Sequence, residues 1–217
     1  MFLMKLKKLF VLLMLALPML PLRAQTVNDI FDPTVPVTWL GWDLTGAIFI
    51  GDREKFGSQS DIQRLMKSWN DLMDRERDKF NVTSMMRKKV PAAYKLDITT
   101  NHNSELDISN ILSEKSSDHV HLRKDGVEQI AAAYNYDGLK GIGLMFNIES
   151  LNKTNNEASL WITFVNMENG QVLLTERMTG SPSGGGLRNF WAGAIVEIIN
   201  HVKKKDFEAW RKKYQRA

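Results

Sequence analysis

Apolar positions in the second half of the chain recur at every second place in three successive runs. Ile142, Leu144, Phe146 and Ile148 form the first, Leu160, Ile162 and Phe164 the second, and Val172, Leu174 and Met178 the third. A period of two marks a strand with one face buried. The stretch therefore predicts three strands joined by Asn152-Lys-Thr-Asn-Asn156 and by Glu168-Asn-Gly170. The second turn poses a register question, because a one-residue slip sends every side chain to the wrong face. A two-residue Asn-Gly loop would set Phe164 opposite Thr175. A three-residue loop with Gly170 left-handed, accompanied by a bulge, sets Phe164 opposite Leu174 and Val165 opposite Leu173. The second choice keeps the apolar residues together and is adopted. It also sets Trp161 opposite Arg177, a pairing suited to a cation–π contact.

A period of 3.6 appears elsewhere. Ile62, Leu65, Met66, Trp69, Leu72 and Met73 follow helical spacing behind Ser60-Asp-Ile-Gln63, which reads as a capping box. This predicts an amphipathic helix to Lys79, and a shorter helical piece covers 82–88. Val127, Ile130, Ala131 and Tyr134 suggest another helix. Trp191, Ala194, Ile195, Ile198, Ile199 and Val202 mark a last one from Arg188, with Phe207, Trp210 and Tyr214 extending it. Trp39 to Gly51 is aromatic, branched and bounded by glycines, so it reads as one strand with a bulge at Gly46. Tyr94, Leu96 and Ile98 alternate with polar residues and read as another strand. Between 101 and 122 no period holds. The expected core contains Leu65, Trp69, Leu144, Phe146, Ile162, Phe164, Leu174, Trp191 and Ile195.

The first 24 residues have a different character. Lys5, Lys7 and Lys8 precede an apolar run from Leu9 to Leu20, followed by Pro21-Leu22-Arg23-Ala24. That is the pattern of a secretory signal, and its apolar run falls short of the roughly 20 residues a spanning helix needs. The expected organisation is a signal peptide over 1–24 and a single domain over 25–217. Cleavage changes the charge: subtracting Lys5, Lys7, Lys8 and Arg23 from 29 basic residues leaves 25 against 25 acidic ones. A mature chain of zero net charge lacks the uniformly basic surface that phosphate backbones require, so nucleic acid is not expected as a partner. With no Cys among 217 residues, thiol nucleophiles, disulfides and cysteine metal centres are excluded.

Candidate chemistry is sparse. The serine-hydrolase elbow, the phosphate-binding loop and the helical His-Glu-x-x-His zinc motif are all missing from the sequence. Gly141-Ile-Gly143 lies inside a strand and reads as close sheet packing. Asp118-His-Val-His121 could offer His119 and His121 as weak metal ligands, which would need a third partner. Gly184, Gly185, Gly186 and Arg188 lead into a helix, where free N–H groups and a guanidinium could hold an anion. Trp161 and Arg177 sit on the second face of the three-stranded unit, beside Met145, Val165 and Leu173. That face is either a partner surface or is covered by the 101–122 segment. Lys203-Lys-Lys205 and Arg211-Lys-Lys213 give the last helix a basic end, which suits its dipole or an anionic surface.

Three stretches carry a resemblance: Trp39-Leu-Gly-Trp-Asp-Leu-Thr-Gly46 with Ile50-Gly-Asp52; Glu149-Ser-Leu-Asn-Lys-Thr154 with Glu157-Ala-Ser-Leu; and Met178-Thr-Gly180 with Gly186-Leu-Arg-Asn-Phe-Trp-Ala-Gly193. Together they resemble an uncharacterised family of exported Gram-negative envelope proteins. The likeness covers most of the mature chain and transfers no catalytic residue. The order of elements is more loosely similar to the amino-terminal domain of the Tol-Pal translocation protein and to curli-assembly lipoproteins, which implies an envelope-assembly fold.

The fold expected is α/β (α+β), a single mixed, mostly antiparallel sheet of about five strands with helices packed on one face. The function expected is that of a non-enzymatic periplasmic binding or assembly module that engages an envelope protein or surface polymer. The alternative is a small anionic-ligand binder or weak hydrolase using Gly184, Gly185, Gly186 and Arg188. No cofactor and no transmembrane span in the mature chain are expected. The expected location is the periplasm, with an extracellular or outer-membrane-associated place as the alternative.

Overall fold

The computed structural model describes residues 24–215, so the proposed signal segment lies outside the described residues apart from Ala24. In chain order the elements are α1 (Val27–Phe31), β1 (Val37–Asp43), β2 (Ile48–Ile50), α2 (Gln59–Arg75), α3 (Val82–Met85), β3 (Ala93–Tyr94), α4 (Asp97–Ser104), β4 (Leu112–Ser113), α5 (Lys124–Ala133), β5 (Ile142–Asn152), β6 (Glu157–Asn166), β7 (Gln171–Gly180), α6 (Gly186–His201) and α7 (Phe207–Tyr214). A π-helical turn, Val202–Asp206, joins the last two helices. Among the described residues no helix is long and apolar enough to cross a membrane.

β5 is the hub of a seven-stranded sheet. On one side it runs antiparallel to β6, and β6 runs antiparallel to β7. On the other side it pairs parallel with β1 from Ile142 to Asn147 and then with β2 from Ser150 to Asn152. The short strands β3 and β4 lie parallel outside β1 and β2. The expected mostly antiparallel sheet of about five strands is therefore overturned: the centre of the sheet is parallel, and only the β5–β6–β7 meander is antiparallel. Parallel partners must be joined by long crossovers, here the helical stretches between β1 and β5. Alternation within a strand carries no record of its partner's direction.

Helices on one face only is a second expectation that fails. On one face, Trp39, Trp42, Leu144, Phe146, Ile162, Phe164 and Leu174 bury against Trp69 of α2 and Trp191, Ile195 and Ile198 of α6. On the other face, Leu40, Met145, Val165 and Met167 pack with Ala131 of α5, Tyr134 and Tyr136. Every residue of β5 is buried as a result. Of the expected core, Leu65 alone is half-buried rather than enclosed.

Local corrections have local causes. The strand expected over 39–51 is two strands separated by a turn at 44–47, and its irregularity falls at Gly41 rather than Gly46. Gly41 has φ +93°, and a Cβ there would meet Asn70 Oδ1 at 2.6 Å. This bulge puts Trp39 and Trp42, three residues apart, on the same face. The capping box of α2 is Ser58 with Asp61, not Ser60 with Gln63: Asp61 N–H donates to Ser58 Oγ at 3.2 Å and Ser58 N–H to Asp61 Oδ2 at 2.9 Å. The helix ends at Arg75, short of Lys79. The strand expected through Ile98 stops at Tyr94, and α4 follows.

The reason for α4 lies in β1. Beyond β3, the edge of β1 has no strand, and side chains take its place. Asn70 Oδ1 accepts from Trp42 N–H at 2.8 Å, and Asn103 Oδ1 accepts from Leu44 N–H at 2.9 Å. Asn103 Nδ2 donates to Trp42 O at 2.8 Å, and the Thr99 hydroxyl donates to Leu40 O. One turn of α4 brings Thr99 and Asn103, four residues apart, to that edge side by side.

The hairpin register is close to the one expected. Phe164 lies opposite Leu174 and Trp161 opposite Arg177, with Gly170 left-handed at φ +71°. The connection is longer by one residue, since Asn166 pairs with Gln171, and Leu173 is the bulged residue. Val165 consequently faces Val172 rather than Leu173, and Val172 joins the second face.

Candidate functional site

The polar residues of β5, β6 and β7 gather on the second face of the sheet in two adjoining clusters. The first begins at Asp43, which is fully buried. Its Oδ1 accepts from the Tyr134 hydroxyl at 2.6 Å and from the Thr45 hydroxyl, and its Oδ2 from Asn147 Nδ2 at 2.8 Å. Asn147 Oδ1 in turn accepts from the Thr163 hydroxyl at 2.6 Å, and Thr163 is 2.8 Å from the Thr175 hydroxyl. Thr163 has one hydrogen and spends it on Asn147, so Thr175 must donate to Thr163. The chain of donors thus runs from β7 through β6 and β5 to the carboxylate on β1. Burial, and then the charge of Asp43, push the Tyr134 phenol far above its ordinary value, so it stays a donor.

The second cluster centres on Glu149, also fully buried. Its Oε1 accepts from the backbone N–H of His121 at 2.8 Å and of Leu122 at 2.7 Å, and its Oε2 from the Ser159 hydroxyl at 2.6 Å. Arg177 Nε lies 3.0 Å from Oε2, with one third of the side chain exposed. Its guanidinium also donates to Leu122 O and sits 4.6 Å from the centroid of the Trp161 ring, the contact anticipated from their pairing. Residues 114–122 form a strip across this end of the face, carrying the 3-10 turn Ser116–His119.

His119 and His121, the weak metal candidates, belong to that strip. His119 Nδ1 is 2.7 Å from Ser150 Oγ, and Nε2 is 3.0 Å from Glu157 Oε2. The ring, hydroxyl and carboxylate are arranged in the order of a hydrolase triad. Ser150 is nevertheless fully buried, and its hydroxyl also lies 2.9 Å from His119 O. A nucleophile must reach its substrate, so this trio positions the strip. His121 turns its Nδ1 to Asp118 O at 2.7 Å and its Nε2 to Gly46 O at 2.9 Å. The two rings are engaged with different partners, and no group of three metal-ligating side chains occurs among the described residues.

Gly184, Gly185 and Gly186 are exposed at the start of α6. Ser183 N–H donates to Phe190 O at 3.0 Å, and a Cβ on Gly193 would sit 2.1 Å from Ser183 O, so the loop folds closely over the first turns of the helix. Arg188 Nε donates to the adjacent Asn189 Oδ1 at 3.0 Å, and Arg188 O accepts from Trp69 Nε1 at 3.0 Å. A cleft of about 540 Å³ lies elsewhere, between the loop through Tyr136 and Lys140 and the hairpin tip at Glu168 and Asn169.

Sequence reasoning singled out Trp161 and Arg177 but missed Glu149, Ser150 and Ser159, and it missed Asp43 with Tyr134. The available signal was Asn147, Glu149, Ser159, Thr163, Thr175 and Arg177 on the polar side of three strands, which a single covered face turns into solvent-exposed positions. Compared with protein-family models, with curated proteins and with solved structures, the chain shows no match.

Proposed function

We propose that this is a non-enzymatic, exported envelope protein that binds an extended segment of a protein partner along the outer edge of β7. The observation that carries this reading is the edge itself. β7 is ten residues long, and among the described residues its only strand partner is β6. The other sheet margins, β3 and β4, are two residues each. A long unpaired edge presents a row of backbone donors and acceptors, and strand addition is a general way of filling one. The leader-like start of the sequence supports export to the periplasm. The buried state of Asp43, Glu149 and Ser150 supports a structural role for the most reactive-looking groups.

A photo-crosslinker at the exposed Thr179 of β7 tests the reading in intact cells, with Arg64 on α2 as the control position. Discrete adducts are expected from Thr179 and not from Arg64. Proline is tolerated on an edge strand only where its missing N–H would point outward. A proline scan of 172–179 should therefore yield variants that melt like the parent and form no adduct. Adducts that survive in every folded proline variant, or none from Thr179 at all, would overturn the reading.

A further inference from the structure

The last helical segment concentrates positive charge. Residues 201–217 hold seven basic and two acidic side chains, so the remainder of a mature chain of zero net charge is negative by five. Both acids are already engaged: Asp206 faces His201, and Glu208 pairs with Arg87 and Arg211. Lys213 is held by Glu176 of β7 at 2.6 Å. Lys203, Lys204, Lys205 and Lys212 are exposed and form no ion pair among the described residues. The π turn sets their direction. Val202 and Phe207 are five positions apart and both buried, so this turn of five residues keeps the apolar stripe of α6 in line with that of α7. Lys203, Lys204 and Lys205 fall in the outward arc between them, and Ala209 and Lys212 continue that arc along α7. The helix dipole accounts only for the end of the run, since its effect fades within the last turn. Lys205 lies nine residues before Tyr214, where α7 ends.

We propose that Lys203, Lys204, Lys205 and Lys212 form a docking ridge for an anionic phospholipid bilayer. A helix exterior is convex and has no walls to enclose a small anion, whereas a bilayer offers an open sheet of phosphates. Lys204 and Lys212 are about 12 Å apart along the helix at its usual rise per residue, far enough to engage separate headgroups. Lysine suits such a surface, being a flexible point charge rather than the planar fork that a defined phosphate site uses. The exposed residue between them, Ala209, is too short to hold the ammonium groups off the surface. The negative remainder of the chain is repelled by the same bilayer, which selects one orientation. Lys213 and Tyr214 tie the end of α7 to Glu176 on β7, so docking by this ridge brings the β7 edge alongside the membrane. The ridge itself does not depend on that edge having a partner.

Co-sedimentation with vesicles tests the ridge on the mature chain, residues 25–217, which lacks the apolar run at 9–20. Vesicles of equal parts phosphatidylglycerol and phosphatidylcholine should pellet it at low salt, and phosphatidylcholine alone should not. Added salt should release it, because exposed charges are screened. Lys204→Gln, Lys205→Gln and Lys212→Gln together should weaken the partition about a hundredfold, roughly fivefold for each lysine. The matching arginine triple should bind like the parent. So should a glutamine triple at Lys55, Lys95 and Lys115, which removes the same charge elsewhere. Binding of the parent to pure phosphatidylcholine, or none to the mixed vesicles, would overturn the proposal. So would an equal loss in the control triple, or a DNA duplex gripped as tightly as vesicles of the same phosphate content. Because the first comparison uses the parent protein, the test stands even where a variant folds poorly.

Discussion

At the scale of single residues, the structure is governed by where a few polar side chains find partners. Asn70 follows the core residue Trp69 in α2, and in the sequence nothing separates it from the helix's outward residues. In the structure it is buried and replaces a missing strand, bonding both Trp42 N–H and Trp42 O. It also fills the space over Gly41 that any Cβ would occupy. Replacing it orphans buried backbone groups, which costs about 1–3 kcal/mol for each. Asn70→Ala is expected to lower the free energy of unfolding by about 2–4 kcal/mol in urea titration, with Asn70→Asp no better because it loses the donor to Trp42 O. A loss below half a kcal/mol would mean that water replaces the amide. The ladder from Asp43 to Thr175 acts in the same way. A slip of β5 by one residue would part Asn147 from both Asp43 and Thr163 and leave buried polar groups unpaired, so the ladder favours the observed register.

At the scale of elements, two of the sheet's three bulges decide which apolar side chains face which core, the third lying at Glu149 in β5. The one at Gly41 gathers Trp39 and Trp42 on the first face, and the one at Leu173 sends Val172 to the second. The hairpin's turn residue is constrained twice. Gly170 is left-handed at φ +71°, and a Cβ there would lie 3.2 Å from Ala132 Cα in α5. Gly170→Ala should therefore cost more than the roughly 1–2 kcal/mol of the backbone conformation alone, because the tip of the hairpin must also move off the helix. Chemical denaturation measures the sum, and a cost below 1 kcal/mol would show that the contact relaxes freely. The loop glycine and the opposition of Phe164 and Leu174 were legible in the sequence, since alternation on both strands demanded them. The extra loop residue was not, because adding one residue to the loop and one bulge to the strand leaves that opposition intact.

At the scale of the whole molecule, the amino-terminal segment is tied to the domain through a buried ammonium. Lys88 Nζ donates to Asp32 O at 2.7 Å and to Asp29 O at 3.1 Å, anchoring the end of α1 beside α3. Burial lowers its pKa from 10.5 to about 8. Between these values the unfolded chain holds a proton that the folded protein has released, so stability rises with pH across that window. Relative to Lys88→Met, the parent should gain up to about 1 kcal/mol per pH unit from pH 8 to 10.5. Parallel urea titrations of the two proteins at pH 7.5 and pH 9.5 check the sign, and a difference that shrinks with pH contradicts it.

The sequence by itself determined which segments are strands and helices wherever periodicity ran for three or more turns of its pattern: α2, α6 and the β5–β6–β7 meander. These signals are local, arising from the geometry of neighbouring residues on one element. Tertiary structure alone decided the parallel centre of the sheet, the second helical layer and the burial of Glu149 and Asp43. Those features depend on contacts between residues roughly a hundred positions apart, such as Trp39 with Leu144 and Asp43 with Asn147. A polar side chain at a strand position has the same pattern whether it meets water or a partner brought from far along the chain, and only the fold supplies the partner.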